Sequence, residues 1–189
     1  GEDIRWPSVM AKCLGPRYTV FEEGLNGRTI GSFMPSGNPL NGLEDLERLL
    51  QNLPHQDLII LYLGINDLFQ REDIGVEEIA QNIEYAVEMI RSPSDIQQEN
   101  NRALSDVLLL TPLPINLQDE VSGPYRLLIV KSESFYEVFR AIGEKHGIHI
   151  IDTGSIISAS PEDGVHIEAE EHRTLGKKLC SFIDEHYPM

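Results

Sequence analysis

Leu58-Ile59-Ile60-Leu61-Tyr62-Leu63-Gly64-Ile65-Asn66-Asp67 is the stretch on which the fold turns. Its first six residues are apolar without alternation, the pattern of a strand covered on both faces rather than one. The run stops at a glycine and two short polar side chains, so a loop begins there. Taken alone, Gly64-x-Asn66-Asp67 reads equally well as a plain turn in which Asp67 caps the next element. Strands buried on both faces belong to parallel sheets, and these require crossover connections, usually helices.

The flanking sequence supplies those helices. Downstream, Val76 to Ile90 has helical spacing, Ser92 to Ser105 is a polar loop, and Val107 to Leu110 is a second buried strand. Thr111-Pro112-Leu113-Pro114 ends it, because proline cannot extend a central strand. The spacing then predicts a helix over Leu127 to His146, a strand over Ile148 to Ile151 and a closing helix over Glu170 to His186. Pro112 to Tyr125 reads as a long loop able to cover a cleft as a lid. Upstream, Leu43 to Leu53 is amphipathic, Trp6 to Leu14 is a short helix with Pro7 in its first turn, and Tyr18 to Phe21 reads as a strand. Four strands separated by helices predict a single α/β domain over 1–189: a three-layer α/β/α, flavodoxin-like doubly wound parallel sheet. Crossover handedness puts every post-strand loop along one edge, where such folds bind ligands. Gly27, Asn66 and the pair Asp163 and His166 all follow predicted strands, so they are expected to share one cleft.

Charge narrows what that cleft takes. In 189 residues, 15 Lys+Arg stand against 31 Asp+Glu, a net −16, which disfavours nucleic acid and anionic membranes as partners. A small neutral substrate fits better. No run is long and apolar enough for a membrane span and no signal peptide is visible, so the expected location is cytoplasmic. Cys13 and Cys180 are expected as buried free thiols, and no ligand spacing points to a metal. His55, His146, His149, His172 and His186 are expected to be surface or satisfied histidines.

Gly27 in EEGLNGRT, Gly64 and Asn66 in GIND, and Asp163 with His166 in DGVH occur in one order, each after a different strand. This set resembles blocks two, three and five of the SGNH hydrolases, also called the GDSL esterase/lipase family. Arg5-Trp6-Pro7 and Asp152-Thr153-Gly154-Ser155 are similar to its arylesterase and acyltransferase branch. The resemblance implies a serine-type carboxylic ester hydrolase acting on small acyl esters through an acyl-enzyme, without a cofactor and with acyl transfer as a side activity. It implies His166 as base and acid, Asp163 as its orienter, and the Asn66 amide and Gly27 N–H as oxyanion donors. Gly64 is expected to let the backbone turn close beside the substrate.

The family's first block, Gly-Asp-Ser-Leu, has no counterpart here. Its serine follows a strand that the resemblance places inside the sheet, between Tyr18 to Phe21 and Leu58 to Leu63. An internal strand cannot be removed without leaving two rows of backbone groups unpaired. The 189 residues are therefore expected to be an N-terminally incomplete form of a longer protein. Ser32 and Ser36 follow Gly27, but neither sits in the sharp strand-to-helix turn of a nucleophile, so the nucleophile is left unassigned. The competing expectation is a pseudoenzyme that binds an ester or carbohydrate in the same cleft.

Overall fold

The computed structural model describes residues 4–31, 34–71, 73–92, 104–117 and 124–188. Its centre is β2 (Asp106–Leu110), which lies between β1 (Leu58–Leu61) and β3 (His149–Ile151), all parallel. Leu58 pairs with Asp106 and Leu108 with His149. Val107, Leu108, Leu109 and Leu110 are all fully buried because the sheet is covered on both sides.

Alternate residues of β2 enter different cores, as the two-residue period of a strand requires. Val107 and Leu109 pack with Ile79, Ile83 and Val87 of α4 (Val76–Arg91) and with Phe135, Phe139 and Ile142 of α6 (Phe135–His146). Leu43 and Leu46 of α2 (Gly42–Asn52) join this layer. Leu108 and Leu110 pack on the other face with Met10 and Leu14 of α1 (Trp6–Leu14) and with Leu175, Leu179 and Ile183 of α7 (Ala169–His186). This is the expected three-layer α/β/α arrangement. The short α3 (Ile65–Gln70) and α5 (Pro124–Glu133) complete the described helices.

Four expectations need correction. Tyr18 is extended, but Tyr18 to Phe21 forms no ladder among the described residues, so three strands are described rather than four. Tyr18 OH donates to Tyr187 O (2.8 Å), and Tyr187 OH donates to Asp106 at the amino end of β2 (2.9 Å). At the other end of the segment Glu22 meets Arg5 (3.1 Å) and Ser8 (3.3 Å), beside the Trp6 ring that packs on Tyr62 beyond β1. The segment is thus anchored at both ends, and among the described residues no backbone partner makes it a strand. Secondly, Cys13 and Cys180 are not free thiols: they form a disulfide with Cα atoms 6.1 Å apart, joining α1 to α7. The two helices come close because Gly176 lies directly against Trp6 O and Val9. Thirdly, the predicted helix over Leu127 to His146 is two helices, α5 and α6, separated at Ser134, where ψ is −8°. Lastly, the described part of the expected lid is packed down: Leu113 and Ile115 are buried, and Ile115 N–H donates to Ser132 Oγ (2.8 Å). Residues 118–123, and 93–103 of the polar loop, lie outside the described residues.

Candidate active site

Gly27 sits in a turn closed by Arg28 N–H donating to Leu25 O (3.2 Å), with its own φ at 77°, a value that favours glycine. The residues after it are fastened on three sides. Thr29 N–H donates to Leu40 O (3.0 Å), and Gly42 N–H donates to Thr29 O (2.9 Å) at the start of α2. The Arg28 guanidinium lies 2.7 Å from the Asp45 carboxylate of α2 and also donates to the carbonyls of Pro39 and Glu23. From the third side come two consecutive residues of α3. Asn66 Nδ2 donates to Arg28 O (2.9 Å), while Asp67 accepts N–H donors from Ile30 (3.0 Å) and Gly31 (2.8 Å). A carboxamide carries two N–H groups, so the bond to Arg28 orients the Asn66 amide without exhausting its donors. Asp67 therefore does not serve as the helix cap that sequence suggests. Its carboxyl is fully buried, and burial pushes its pKa up to about 6 against the lowering effect of the Ile30 and Gly31 N–H groups.

Gly64 precedes α3 with φ 122°. A Cβ there would come within 3.2 Å of Ile79 and 3.4 Å of Phe135 and Pro112. The backbone angle and the close packing on the core both call for glycine here.

Asp163 and His166 meet as their three-residue offset suggests. His166 Nδ1 is 2.8 Å from Asp163 Oδ2, and Asp163 Oδ1 accepts the N–H groups of Val165 and His166, both at 2.9 Å. The two N–H donors, with the imidazole after them, hold the Asp163 carboxyl down at about 2, so it is ionised at any physiological pH. The imidazole side chain is 82% exposed, leaving Nε2 open to an approaching group. The loop beneath it is rigidly built: Gly164 has φ 68° and lies against the Asn116 backbone, Asn116 N–H donates to Gly164 O (2.8 Å), and Ser160 N–H donates to His166 O (2.6 Å). Thr111 and Thr153, after β2 and β3, lock the same edge: Thr153 Oγ1 donates to Thr111 O (2.6 Å) and its N–H to Thr111 Oγ1 (3.2 Å).

The structure thus joins Gly27 to Asn66 by way of Arg28, and Asp163 to His166 directly. The two pairs are connected along the carboxyl edge by the loop after β2, which touches Gly64 through Pro112 and Gly164 through Asn116. Ser36 is engaged with Glu44, to which its hydroxyl donates (3.0 Å); Ser32 lies outside the described residues. His172 Nδ1 accepts from Trp6 N–H (3.3 Å), and burial lowers its pKa. Asp67, which sequence reads only as a cap, is the buried carboxylate that the fold turns toward Ile30 and Gly31.

Among the described residues, Glu84, Glu88 and His146 form a group whose ligand atoms lie within 4.8 Å of one another. Lys145 Nζ (2.8 Å) and His146 Nε2 (2.6 Å) meet the Glu84 carboxylate, and these contacts, Lys145 first, lower its pKa. The group joins the second half of α4 to the last residue of α6, away from the loop that carries His166. It reads as an ion-pair cluster.

Comparison with known proteins bears on the family and the fold. Residues 1–173 match the GDSL-like Lipase/Acylhydrolase family. A solved aryl esterase from M. smegmatis is 27% identical with a TM-score of 0.82, covering 98% of this chain and 86% of that one. A solved carbohydrate acetylesterase from Sinorhizobium meliloti is 26% identical with a TM-score of 0.83, covering 99% and 87%. A G-D-S-L family lipolytic protein from Veillonella parvula shares the fold at 14% identity and a TM-score of 0.68, covering 99% and 89%. No curated protein sequence matches the chain.

Proposed function

We propose a serine-type acyl-enzyme mechanism for this chain, which belongs to the GDSL-like lipase/acylhydrolase family and is a carboxylic ester hydrolase. The serine oxygen attacks the ester carbonyl while His166 Nε2 takes its proton, and Asp163 stabilises the imidazolium through Nδ1. The Asn66 amide and the Gly27 N–H donate to the carbonyl oxygen as it becomes negative. The C–O bond to the alcohol breaks, and the alcohol leaves with the proton held by His166. Water, deprotonated by His166, then releases the acid; an acceptor alcohol in place of water gives acyl transfer. The observation that carries this reading is the exposed imidazole held at 2.8 Å by an ionised carboxylate, on the same sheet edge as an anchored amide.

The attacking serine belongs to a further strand beside β1. Support comes from β1, which has no strand partner on its outer side among the described residues. Small acyl esters of aryl or sugar alcohols are the substrate class, by analogy with the aryl esterase and the carbohydrate acetylesterase. The net charge of −16 disfavours a nucleic-acid partner. Among the described residues no helix is long and apolar enough to cross a membrane. Against the cytoplasmic expectation, the Cys13–Cys180 disulfide favours an oxidising compartment.

Intact mass of the native gene product before and after a fluorophosphonate, together with p-nitrophenyl acetate turnover, tests the mechanism. One covalent adduct and turnover are expected. A native mass of 21.3 kDa with neither adduct nor turnover would sink it and favour a binding protein that uses the same cleft.

A further inference from the structure

We infer that Asp67 is a positioning residue of the ester-cleaving site: by accepting the N–H groups of Ile30 and Gly31, it holds the Gly27 turn against Asn66 and so fixes both oxyanion donors in one frame. The inference rests on the proposed roles of Asn66 and Gly27. Its geometry is a two-point grip. Adjacent residues in the first turn of α3 reach the same loop, Asn66 at the Arg28 carbonyl and Asp67 two and three residues further on. From the side of α3, Asn66 alone would hold the loop only at Arg28 O, with Ile30 and Gly31 unheld from that side. Asp67 adds the second point, and its side chain is completely buried.

Stability alone is a poor reason for this residue. Its folded pKa, about 6, lies above the ordinary 3.8 because burial opposes the charge. The native state therefore holds the proton more tightly than the unfolded chain does. As pH rises from about 4 through about 6, the Asp67 contribution to stability falls, and at neutral pH the fold carries the cost of a buried carboxylate. Glu78 of α4 faces it and adds to that cost, although Arg71 pairs with Glu78 at 2.6 Å. A neutral side chain of similar size would avoid the expense. What an ionised carboxylate offers instead is two strong acceptors for two consecutive N–H groups, which a donor-bearing amide does not.

Donors aimed at a developing oxyanion act on the transition state more than on bound substrate, so their misplacement is read in kcat rather than KM. The test compares Asp67→Asn and Asp67→Ala in the full gene product by p-nitrophenyl acetate kinetics and by amide hydrogen exchange. In Asp67→Ala, exchange at Ile30 and Gly31 is expected to rise at least about tenfold while Val107 to Leu110 keep their protection. The kcat is expected to fall by about a hundredfold with KM within about threefold, as for a displacement of about 1 Å. Asp67→Asn, which keeps one acceptor, should lie between. Unchanged kcat, or unchanged exchange at Ile30 and Gly31, overturns the inference. So does a loss of protection that extends equally through β2, which marks a merely structural role. Absence of turnover and of a fluorophosphonate adduct in the unmodified protein would instead defeat the esterase mechanism, and exchange at Ile30 and Gly31 would still decide whether Asp67 holds the turn.

Discussion

Asp67 and Asp163 each accept two backbone N–H groups from neighbouring residues of a loop, yet their carboxyls move in opposite directions. Asp67, fully buried, rises to about 6; Asp163, with its side chain 47% exposed, falls to about 2. The two backbone N–H donors are common to both, and Asp163 adds the His166 imidazole, but the larger difference is solvent. Water around Asp163 shrinks the desolvation cost, so the N–H donors and the imidazole outweigh it. The buried carboxylate anchors a loop, and the exposed one keeps a base in register.

The comparison can be broken at several points. His166→Ala removes the base and should lower p-nitrophenyl acetate turnover by about 10⁴-fold. NMR titration of the same variant should find Asp163 still below its ordinary pKa, because the Val165 N–H, its largest influence, remains. A return to the ordinary value would mean that the imidazole dominates. Asp163→Asn leaves the ring in place but without its counter-charge, and a loss of about a thousandfold in kcat is expected; near-full turnover would show that His166 needs no orienter. Asp67 is read through stability. Urea unfolding should show its contribution falling by about 2 kcal/mol between pH 4 and pH 7, and Asp67→Asn should lack that slope. An identical slope in the variant would place the titration elsewhere. The smallest effect is that of Asp163 on stability. Its lowered pKa stabilises the fold above pH 4 and that gain is lost as pH falls through about 2, but solvent screening keeps it minor. Asp163→Asn should therefore leave the urea midpoint at pH 7 nearly unchanged.

What sequence reveals follows from how local each feature is. The apolar runs of β1, β2 and β3 are local, and so is the three-residue offset of Asp163 and His166; both were legible. Tyr18 to Phe21 has the composition of a strand, but a strand is defined by a neighbour, and no neighbour is written in those four residues. Asp67 has the identity of a helix cap, and only the fold shows that its carboxylate reaches Ile30 and Gly31 instead. Ser134 interrupts a helical pattern that remains apolar on one face across the break. Cys13 and Cys180 are 167 residues apart, and nothing in their separate helices announces that α1 and α7 lie side by side.

That same bond changes the covalent topology of the molecule. With residues 13 and 180 joined, the unfolded protein contains a closed ring rather than an open string, and its narrower ensemble favours the native state by about 5 kcal/mol in the chain-entropy account. A single peptide-bond cut anywhere inside the ring leaves one covalent molecule of unchanged composition apart from an added water. Such a nicked protein migrates as one species until a reductant separates it into two.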